Sequence, residues 1–395
     1  MITNFIFKVF KYFLLFLVYL ILTNILTKGG FIMAGSTLGT IFRITTWGES
    51  HGKGIGVVVD GCPAGLSLCK DDIQQMLDRR RPGQSKFTTQ RSESDTVHIL
   101  SGIFEGKTTG TPISMEIRNE SQRSKDYSDI ANYYRPGHAD FTFDQKYGFR
   151  DYRGGGRSSG RETIGRVAAG AIAKRLLSEF GIEITAYSKE IGQIPIQSFD
   201  KEEIERNPFR MPDAKAAAKV ADYLKEKMAE CDSVGGVIEC ITTGLPACLG
   251  DPVFEKLDAN LAKAILSIGA VKGFEIGDGF AAARACGSQN NDAFTVKNEK
   301  AVKLTNHSGG VLGGISDGSD LLFRAAIKPT PSIACTQHTI TKDGKEININ
   351  IKGRHDPIIV PRAVVVIEAM TALVLADSLL LNMSSRMDYI KKIYS

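Results

Sequence analysis

Several common functional signatures are missing from this 395-residue chain. Its seven cysteines are an odd number and none forms a CxxC pair, which argues against a disulfide framework or a zinc site and fits a reducing cytosol. The sequence has no HExxH motif, no acidic cluster for a hard metal, no Walker phosphate loop and no GxGxxG motif after a strand. These absences argue against metal hydrolases, P-loop enzymes and Rossmann dinucleotide enzymes.

A strong net charge is also missing. The formal charge is +5, and three of those charges are lysines in residues 1–32, a stretch with no acidic residue, so the rest of the chain is nearly neutral. The lone Trp47 and the lack of interleaved aromatic and basic residues argue against an RNA-binding protein. Because several loops of the chain are basic, an RNA-binding protein stays an alternative, which salt-dependent binding to generic RNA would support.

The N-terminal segment differs from the remainder. Its stretch "FKYFLLFLVYLILTNIL" is similar to a signal-peptide core or a short anchor, but no small-x-small cleavage site follows, and the apolar core at 12–22 is short for a membrane span. Met33 then opens "MAGSTLGTIF", a plausible protein start. We interpret residues 1–32 as an extension outside the fold and residues 33–395 as one large cytoplasmic domain. An anchor or targeting segment is the alternative.

Hydrophobic periodicity predicts strands mixed with helices. The predicted strands are 41–46, 55–59, 113–117, 182–191, 237–242 and 321–327, with a hairpin over 338–351 around Asp343-Gly344. The predicted helices are 71–80, 161–179, 213–230, 254–268 with Phe254 on its buried face, and 361–381, a run too interrupted by charges for a membrane. Hairpins among helices indicate an α/β protein of the α+β type, with antiparallel sheets covered by helices.

A glycine-rich segment, "DYRGGGRSSGRETIG", precedes the helix predicted over 161–179. Ser159 and Glu162 have capping-box spacing, so bare backbone and free N–H groups are expected at a helix start, a favourable place for an anion. Arg157 and Arg161 add guanidinium donors suited to phosphate or carboxylate. A flexible basic surface turn is the alternative.

Further glycine- or proline-shaped loops carry charged or proton-transferring residues. They are "GESHG", "RRRPG", "RPGHAD", "NHSGGVLGGIS", "KPTPS" and "GRHDP". A single such loop is weak evidence, because a lone histidine is usually structural and arginines at a helix end are usually solvated. Their shared form predicts one strongly cationic pocket with a few proton-transfer groups.

These motifs, with "TTGTPI" and "GSQNND", resemble the chorismate synthase family in order and over nearly the whole chain after Met33. The resemblance implies a β-α-β sandwich of antiparallel sheets with helices outside, in a homotetramer. It implies a carbon–oxygen lyase of the shikimate pathway, which removes phosphate from 5-enolpyruvylshikimate 3-phosphate by anti-1,4 elimination to give chorismate. Reduced FMN is the implied cofactor, although the reaction has no net redox change, and no metal or nucleic acid is implied.

The resemblance also implies roles for individual residues. The substrate would be bound by Arg80, Lys86, Arg135, Ser159, Arg161 and Arg354. The cofactors would be bound by Arg80, Lys86, Arg157, Ser158, Ser159, Gln289, Asn290, Gly313, Lys328, Pro329, Thr330, Pro331, Ser332 and Arg354. Lys86 departs from the family's usual arginine, and we expect a point-charge contact there.

The implied catalytic residues are His51, His138 and Asp356. His51 would act as acid toward the departing phosphate, and His138 would stabilise or protonate the reduced flavin near N1. Flavin N5 would take the C6 proton, assisted by Asp356. The sequence leaves open whether NADPH or an outside flavin reductase supplies the electrons, and a stand-alone NADPH-dependent flavin reductase is the remaining enzyme alternative.

Overall fold

The computed structural model describes residues 35–85, 87–88, 93–120, 129–351 and 356–395. Leu38–Ser395 forms one compact unit, and only residues 35–37 are described of the unit Met1–Thr37. The proposed extension over 1–32 and the site residues Lys86 and Arg354 lie outside the described residues. The predicted domain limits therefore stay predictions.

The secondary structure alternates between strands and helices. The helices are α1 (Lys70–Arg80), α2 (Asp140–Tyr147), α3 (Thr163–Ser178), α4 (Glu203–Arg206), α5 (Ala214–Ala229), α6 (Leu257–Leu266), α7 (Gly287–Asn290), α8 (Val360–Asn382) and α9 (Met387–Tyr394). The strands are β1 (Thr37–Leu38), β2 (Arg43–Gly48), β3 (Gly54–Asp60), β4 (Val97–Ile99), β5 (Ile103–Phe104), β6 (Lys107–Thr108), β7 (Ile113–Arg118), β8 (Glu183–Ile191), β9 (Ile194–Pro195), β10 (Gly236–Thr243), β11 (Val271–Ile276), β12 (Phe294–Lys297), β13 (Lys300–Lys303), β14 (Val311–Leu312), β15 (Ile315–Ser316), β16 (Leu321–Ile327), β17 (Thr336–Ile340) and β18 (Glu346–Asn350).

Two larger antiparallel sheets dominate the fold. From Leu38 onward, the first has the order β2-β3-β7-β4, and the second has the order β11-β16-β10-β8-β9. Strands β7 and β16 alternate between buried and more exposed residues, so each sheet turns one face to the core. The predicted α+β class and its antiparallel sheets are confirmed.

The two longest core helices, α3 and α8, lie between the sheets, which is the β-α-β layering that the resemblance implied. Helix α3 packs on β3 of the first sheet and β8 of the second, and α8 packs on α3, β8 and β10. Both helices are buried on nearly all sides, as expected for helices that are apolar all round. They approach closely at Gly170, where a Cβ atom would lie 2.4 Å from the Ala369 Cβ.

Two further sequence predictions can be compared with the structure. Helix α8 is long and apolar enough to span a membrane, but 78% of its most apolar window is buried inside the protein, as predicted for a core helix. Phe254 was placed wrongly on a buried helix face. Helix α6 begins only at Leu257, because the preceding segment is extended and turned, and the Phe254 side chain is exposed.

Candidate active site

The glycine-rich loop covers the turn that carries His51. Gly154 has a φ of +149°, and a Cβ atom there would lie 2.4 Å from His51 Cδ2 and 2.7 Å from its Nε2. Arg157 fixes the same loop to the end of β2, because its Nη1 donates to the Gly48 carbonyl at 3.0 Å and its Nη2 to Thr46 Oγ1 at 2.7 Å. Only glycine permits such a close approach at position 154, so the structure brings together two motifs that the sequence treated separately.

The predicted capping box is not formed. Helix α3 begins at Thr163 after a short 3₁₀ turn, and Ser159 Oγ accepts a hydrogen bond from the Arg161 amide at 3.4 Å. The Glu162 carboxylate accepts from Arg166 Nε at 2.9 Å instead of capping the helix. Ser158 Oγ donates to the Gly155 carbonyl at 2.7 Å. These serines therefore order the loop itself.

Arg80 and Arg161 meet in a buried ion cluster behind this loop. Arg80 is 1% exposed and donates to Asp95 Oδ2 at 2.6 Å, to Thr163 Oγ1 at 3.1 Å and to the Gly160 carbonyl at 3.2 Å. Burial lowers the pKa of Arg80 to about 9, although Asp95 acts in the opposite direction. Asp95 belongs to none of the sequence motifs, and it compensates a buried cation.

Arg161 belongs to the same cluster but keeps an unused donor. Its Nη1 lies 3.2 Å from Asp95 Oδ1 and 3.8 Å from Glu93 Oε1. Its buried Nη2 has no hydrogen-bond partner among the described residues. The Oγ atom of Ser50, beside His51, is likewise buried and has none among them. Unpaired buried polar atoms cost free energy unless a ligand or water satisfies them.

Asn119 connects the ion cluster to the His51 turn, and the sequence analysis missed it. Its Oδ1 accepts from Arg161 Nε at 2.9 Å, and its Nδ2 donates to the carbonyls of Glu49 and Gly52, each at 2.9 Å. The residue directly follows β7, and a polar side chain at that strand end was the available signal. One amide thus fixes both a cationic group and the turn that carries His51.

His138 lies in a second cluster, formed by the "RPGHAD" loop and Arg150. Asp140 Oδ2 accepts from Arg135 Nε at 2.7 Å, and Asp140 Oδ1 lies 3.1 Å from His138 Nδ1 and 2.7 Å from Arg150 Nη1. Arg135 Nη2 lies 3.0 Å from the same ring nitrogen of His138. The structure thus joins two predicted site residues, Arg135 and His138, through a carboxylate that was not predicted.

The "KPTPS" loop, which includes Lys328, Pro329, Thr330, Pro331 and Ser332, lies beside the His138 loop. Lys328 Nζ donates to the Gly137 carbonyl at 2.8 Å, and burial lowers the pKa of Lys328. Ser233 Oγ donates to the Thr330 carbonyl at 2.7 Å. This loop is therefore fixed to the His138 loop on one side and to the turn at Ser233 on the other.

Asp356 completes the connection between the loops. The amide next to Ser233, that of Val234, donates to the Pro357 carbonyl at 2.9 Å. Arg362 Nη1 donates to Asp356 Oδ2 at 3.1 Å, and Arg362 Nε donates to the Arg80 carbonyl at 3.2 Å. The predicted loops thus form one continuous series of contacts from His138 to Asp356, Arg80, Arg161 and His51.

The three remaining predicted flavin-binding residues, Gln289, Asn290 and Gly313, lie in segments whose described contacts are local. Gln289 Oε1 accepts from the Cys286 amide at 3.2 Å within α7, and Gly313 lies in the turn between β14 and β15 with open space around its Cα. The neighbouring segments are tied together by the buried Lys303, whose Nζ lies 3.2 Å from Asp292 and 2.7 Å from Asp317. None of these described contacts joins them to the His51 loop.

Comparison with known proteins gives the family. The sequence profile of the family described as chorismate synthase matches residues 42–380. The chorismate synthase of Lachnospira eligens is 68% identical over 364 residues, which cover 92% of this chain and 100% of that protein. That of Methanosarcina mazei is 57% identical over 353 residues, covering 88% and 97%. The chain belongs to the chorismate synthase family.

A solved crystal structure of a chorismate synthase supports this membership. It matches with a TM-score of 0.72 at 34% sequence identity and covers 90% of this chain and 97% of that chain. The predicted family, the lyase class and the elimination of phosphate from 5-enolpyruvylshikimate 3-phosphate in the shikimate pathway are thereby confirmed. The roles of individual residues stay predictions.

Proposed function

We propose that the connected loops bind the phosphate and carboxylates of the substrate, with Arg161 as the central contact. The observation that carries this proposal is the buried Nη2 of Arg161, which has no hydrogen-bond partner among the described residues. A guanidinium donor without a partner suits a phosphate or carboxylate oxygen. Arg135 and Ser159 contribute further polar contacts. Arg80, whose nitrogens bind Asp95, Thr163 and Gly160, acts by holding this cluster in place.

His51 is proposed as the acid that protonates the departing phosphate. Its imidazole lies directly against the Gly154 backbone, at the loop that carries Arg157 and Ser159. Histidine changes its charge near neutral pH, so it can donate a proton and recover it within one turnover. The cationic groups around it stabilise the negative charge that develops on phosphate.

The residues present also fit a flavin phosphate and ring. A Cβ atom at Gly160 would meet nothing within 4 Å, so the backbone there is open to a ligand, and Lys328 supplies a cation next to the His138 loop. We propose that Arg157, Ser158, Ser159 and the Lys328–Ser332 loop hold FMN, together with Gln289, Asn290, Gly313 and, outside the described residues, Lys86 and Arg354. When bound, reduced FMN would supply electron density for breaking the C–O bond, without net redox change.

His138 and Asp356 are proposed as the remaining proton-handling groups. His138 faces the same loops through its contact with Arg135 and stabilises the reduced cofactor by holding a proton near it. Asp356 is oriented by Arg362 and assists removal of the C6 proton. Both assignments rest on matching motifs and on the connected loops described above.

Anaerobic turnover tests the proposed function. The purified protein is mixed with substrate and photoreduced FMN, and both chorismate and free phosphate are measured. We expect stoichiometric formation of the two products. Formation of neither would overturn the proposal. A parallel aerobic assay with NADPH and FMN, but no added reductase, decides whether this chain reduces its own flavin or needs an outside reductase.

Histidine variants test the division of roles. His51→Ala and His138→Ala should each lower turnover by about 10²–10⁴-fold, the usual loss for a general acid. His138→Ala should also change the affinity or spectrum of reduced FMN, whereas His51→Ala should leave both nearly unchanged. Equal disturbance of the flavin by both variants would contradict the separate roles.

We also propose a cytoplasmic homotetramer formed by residues 33–395. Support comes from large apolar side chains that are exposed in the compact unit: Val253, Phe254, Phe280, Phe294, Val296 and Leu304. Large exposed apolar patches mark protein–protein interfaces, and these side chains are the candidates for that contact. A chain beginning at Met33 should give the same oligomer by light scattering and full activity, and loss of the soluble oligomer would show that residues 1–32 are structural.

A further inference from the structure

Asp140, at the first position of α2, is the most heavily bonded carboxylate of the His138 cluster. It is 4% exposed, and its Oδ2 accepts from the Arg135 amide at 3.1 Å and from Arg135 Nε at 2.7 Å. Its Oδ1 accepts from Arg135 Nη2 at 2.7 Å and lies 2.7 Å from Arg150 Nη1. Burial raises the pKa of Asp140, but the hydrogen bonds from Arg135 and His138 outweigh it and hold that pKa well below its usual range.

This carboxylate is therefore ionised and can only accept hydrogen bonds. His138 Nδ1 lies 3.1 Å from its Oδ1, and 3.0 Å from Arg135 Nη2, which can only donate. The acid form of His138 carries a proton on both ring nitrogens. Among the described contacts of Nδ1, Asp140 is then the one acceptor, so the Nδ1 proton is directed at Asp140.

The local sequence explains why these groups meet. Pro136 and Gly137, which has a φ of +68°, reverse the chain between Arg135 and His138. Asp140 follows in the first turn of α2, where a carboxylate is favoured by the helix dipole. Arg150 holds the carboxylate from the opposite side and is itself fixed by donating to the Ile130 carbonyl at 3.0 Å.

We propose that Asp140 is a positioning residue that retains the Nδ1 proton of His138, so that Nε2 is the ring atom that exchanges a proton in the reaction. The Nε2–H bond breaks as His138 gives that proton to a basic atom of the ligand bound against it, where a new bond to hydrogen forms, and the proton returns from the same atom, while the Nδ1–H bond is kept throughout. The positive charge of the imidazolium is lost and regained with that proton. This inference rests on the proposed role of His138 in catalysis.

The tautomer of His138 is measured by NMR on the full-length protein with ¹⁵N-labelled histidine. The chain has six histidines, and the His138→Gln variant assigns the signal. We expect neutral His138 of the wild type to carry its proton on Nδ1, and Asp140→Asn to move the proton to Nε2. A wild-type His138 protonated on Nε2 alone would overturn the inference.

Turnover is measured in the same variants, with Asp144→Asn as the matched control. Asp144 lies one helical turn after Asp140 and pairs with Arg150 at 3.3 Å and Lys342 at 3.1 Å, but has no described contact with His138. Asp140→Asn should lower kcat by about 10²–10⁴-fold with little change in KM for the substrate. Asp144→Asn leaves the Asp140–His138 contact in place and should change kcat much less.

Three results are separable. An equal effect of Asp140→Asn and Asp144→Asn on kcat would show that both residues act only on local structure and would overturn the positioning role. If Asp140→Asn does not fold, the tautomer of the wild-type protein still decides the question. Absence of chorismate with the wild type would defeat the proposed function, while the NMR result would stand independently of it.

Discussion

Arg79 and Arg80 are neighbours at the end of α1, yet they enter two buried ion clusters of different character. Arg79 binds Glu368 of α8 with its Nη1 at 2.7 Å and its Nη2 at 3.0 Å. Arg80 turns the other way and binds Asp95, behind the glycine-rich loop. Two identical side chains in adjacent positions thus support the core in one case and the candidate active site in the other.

The Glu368 cluster is closed. Its carboxylate accepts from Arg79, from Lys174 at 2.9 Å and from the Ala186 amide at 3.2 Å, which joins α1, α3, α8 and β8. Burial raises the pKa of Glu368, but the charges of Arg79 and Lys174 outweigh it and bring the pKa to about 2. Every described donor to Glu368 belongs to the fold, so this cluster stabilises the folded chain, although Arg79 Nε is also buried without a hydrogen-bond partner among the described residues.

The Asp95 cluster is open. Asp95 lies between Arg80 and Arg161, and Arg161 still has one buried nitrogen with no hydrogen-bond partner in the described part of the chain. Desolvated donors of this kind cost stability in the free protein and are satisfied when an anion binds. The comparison therefore predicts that changes to the closed cluster affect stability, and changes to the open cluster affect substrate binding.

Breaking the closed cluster should have the largest effect. Glu368→Ala leaves Arg79 and Lys174 buried without their carboxylate, so we expect a loss of about 3–5 kcal/mol in the free energy of unfolding. Urea unfolding measures it, and KM of the folded fraction should not change. The control is Glu205→Ala, which removes the half-exposed partner of Arg79 at 2.9 Å and should cost less than about 1 kcal/mol. Equal losses in the two variants would contradict the distinction.

The second largest effect should come from lowering the pH, which removes the contribution of Glu368 to the free energy of unfolding. The pKa of Glu368 is lowered from 4.5 to about 2 in the folded protein. The folded state therefore binds this proton less readily than the unfolded state, and its stabilisation is complete above about pH 4.5 and lost as pH falls towards 2. The contribution amounts to about 3 kcal/mol. Urea unfolding of the wild type and Glu368→Gln between pH 6 and 2.5 should show a shallower acid dependence in the variant, and parallel curves would refute this.

Opening the Asp95 cluster further should affect binding more than stability. Arg161→Lys keeps the charge but loses the planar pair of donors, so we expect KM for the substrate to rise by about ten- to a hundredfold, the value of a charge-assisted hydrogen bond. Arg175→Lys is the control, because Arg175 lies on α3, the helix that follows Arg161, and pairs with the exposed Glu179. An unchanged KM in Arg161→Lys, together with a lower urea midpoint, would place Arg161 with the structural cluster.

Most helices and strands and the family could be predicted from the sequence, but the contacts of individual side chains could not. Strand β16 was predicted over 321–327, as the structure has it, because alternation and turn residues are local signals. Helix α3 lies between two sheets because its small residues, such as Gly170, allow α8 to pack closely against it. Hydrophobic periodicity within one segment does not show which distant helix will pack there. Likewise, motifs revealed Arg80 and Arg161, whereas Asp95 and Asn119 sit outside any motif and are recognised only from contacts across the fold.

The smallest effect should come from the residue that links the open cluster to the His51 turn. Asn119→Asp keeps an acceptor for Arg161 but loses the two donations to the Glu49 and Gly52 carbonyls. Each neutral hydrogen bond is worth about 0.5–1.5 kcal/mol. We therefore expect kcat to fall by about three- to tenfold, because the turn carrying His51 is held less firmly.

Asn119→Ala, which also releases Arg161, should in addition raise KM. Asn132→Ala is the control, because Asn132 is an exposed asparagine at the end of the 3₁₀ turn Asp129–Asn132, and it should change neither kcat nor KM. The two Asn119 variants separate the two sides of this link: the donations of Asn119 Nδ2 orient the turn of the proposed acid His51, and Asn119 Oδ1 orients the guanidinium of Arg161, which we propose to bind the substrate. If Asn119→Asp raised KM but left kcat unchanged, the contact with the His51 turn would have no part in the reaction, and Asn119 would act on the open cluster alone.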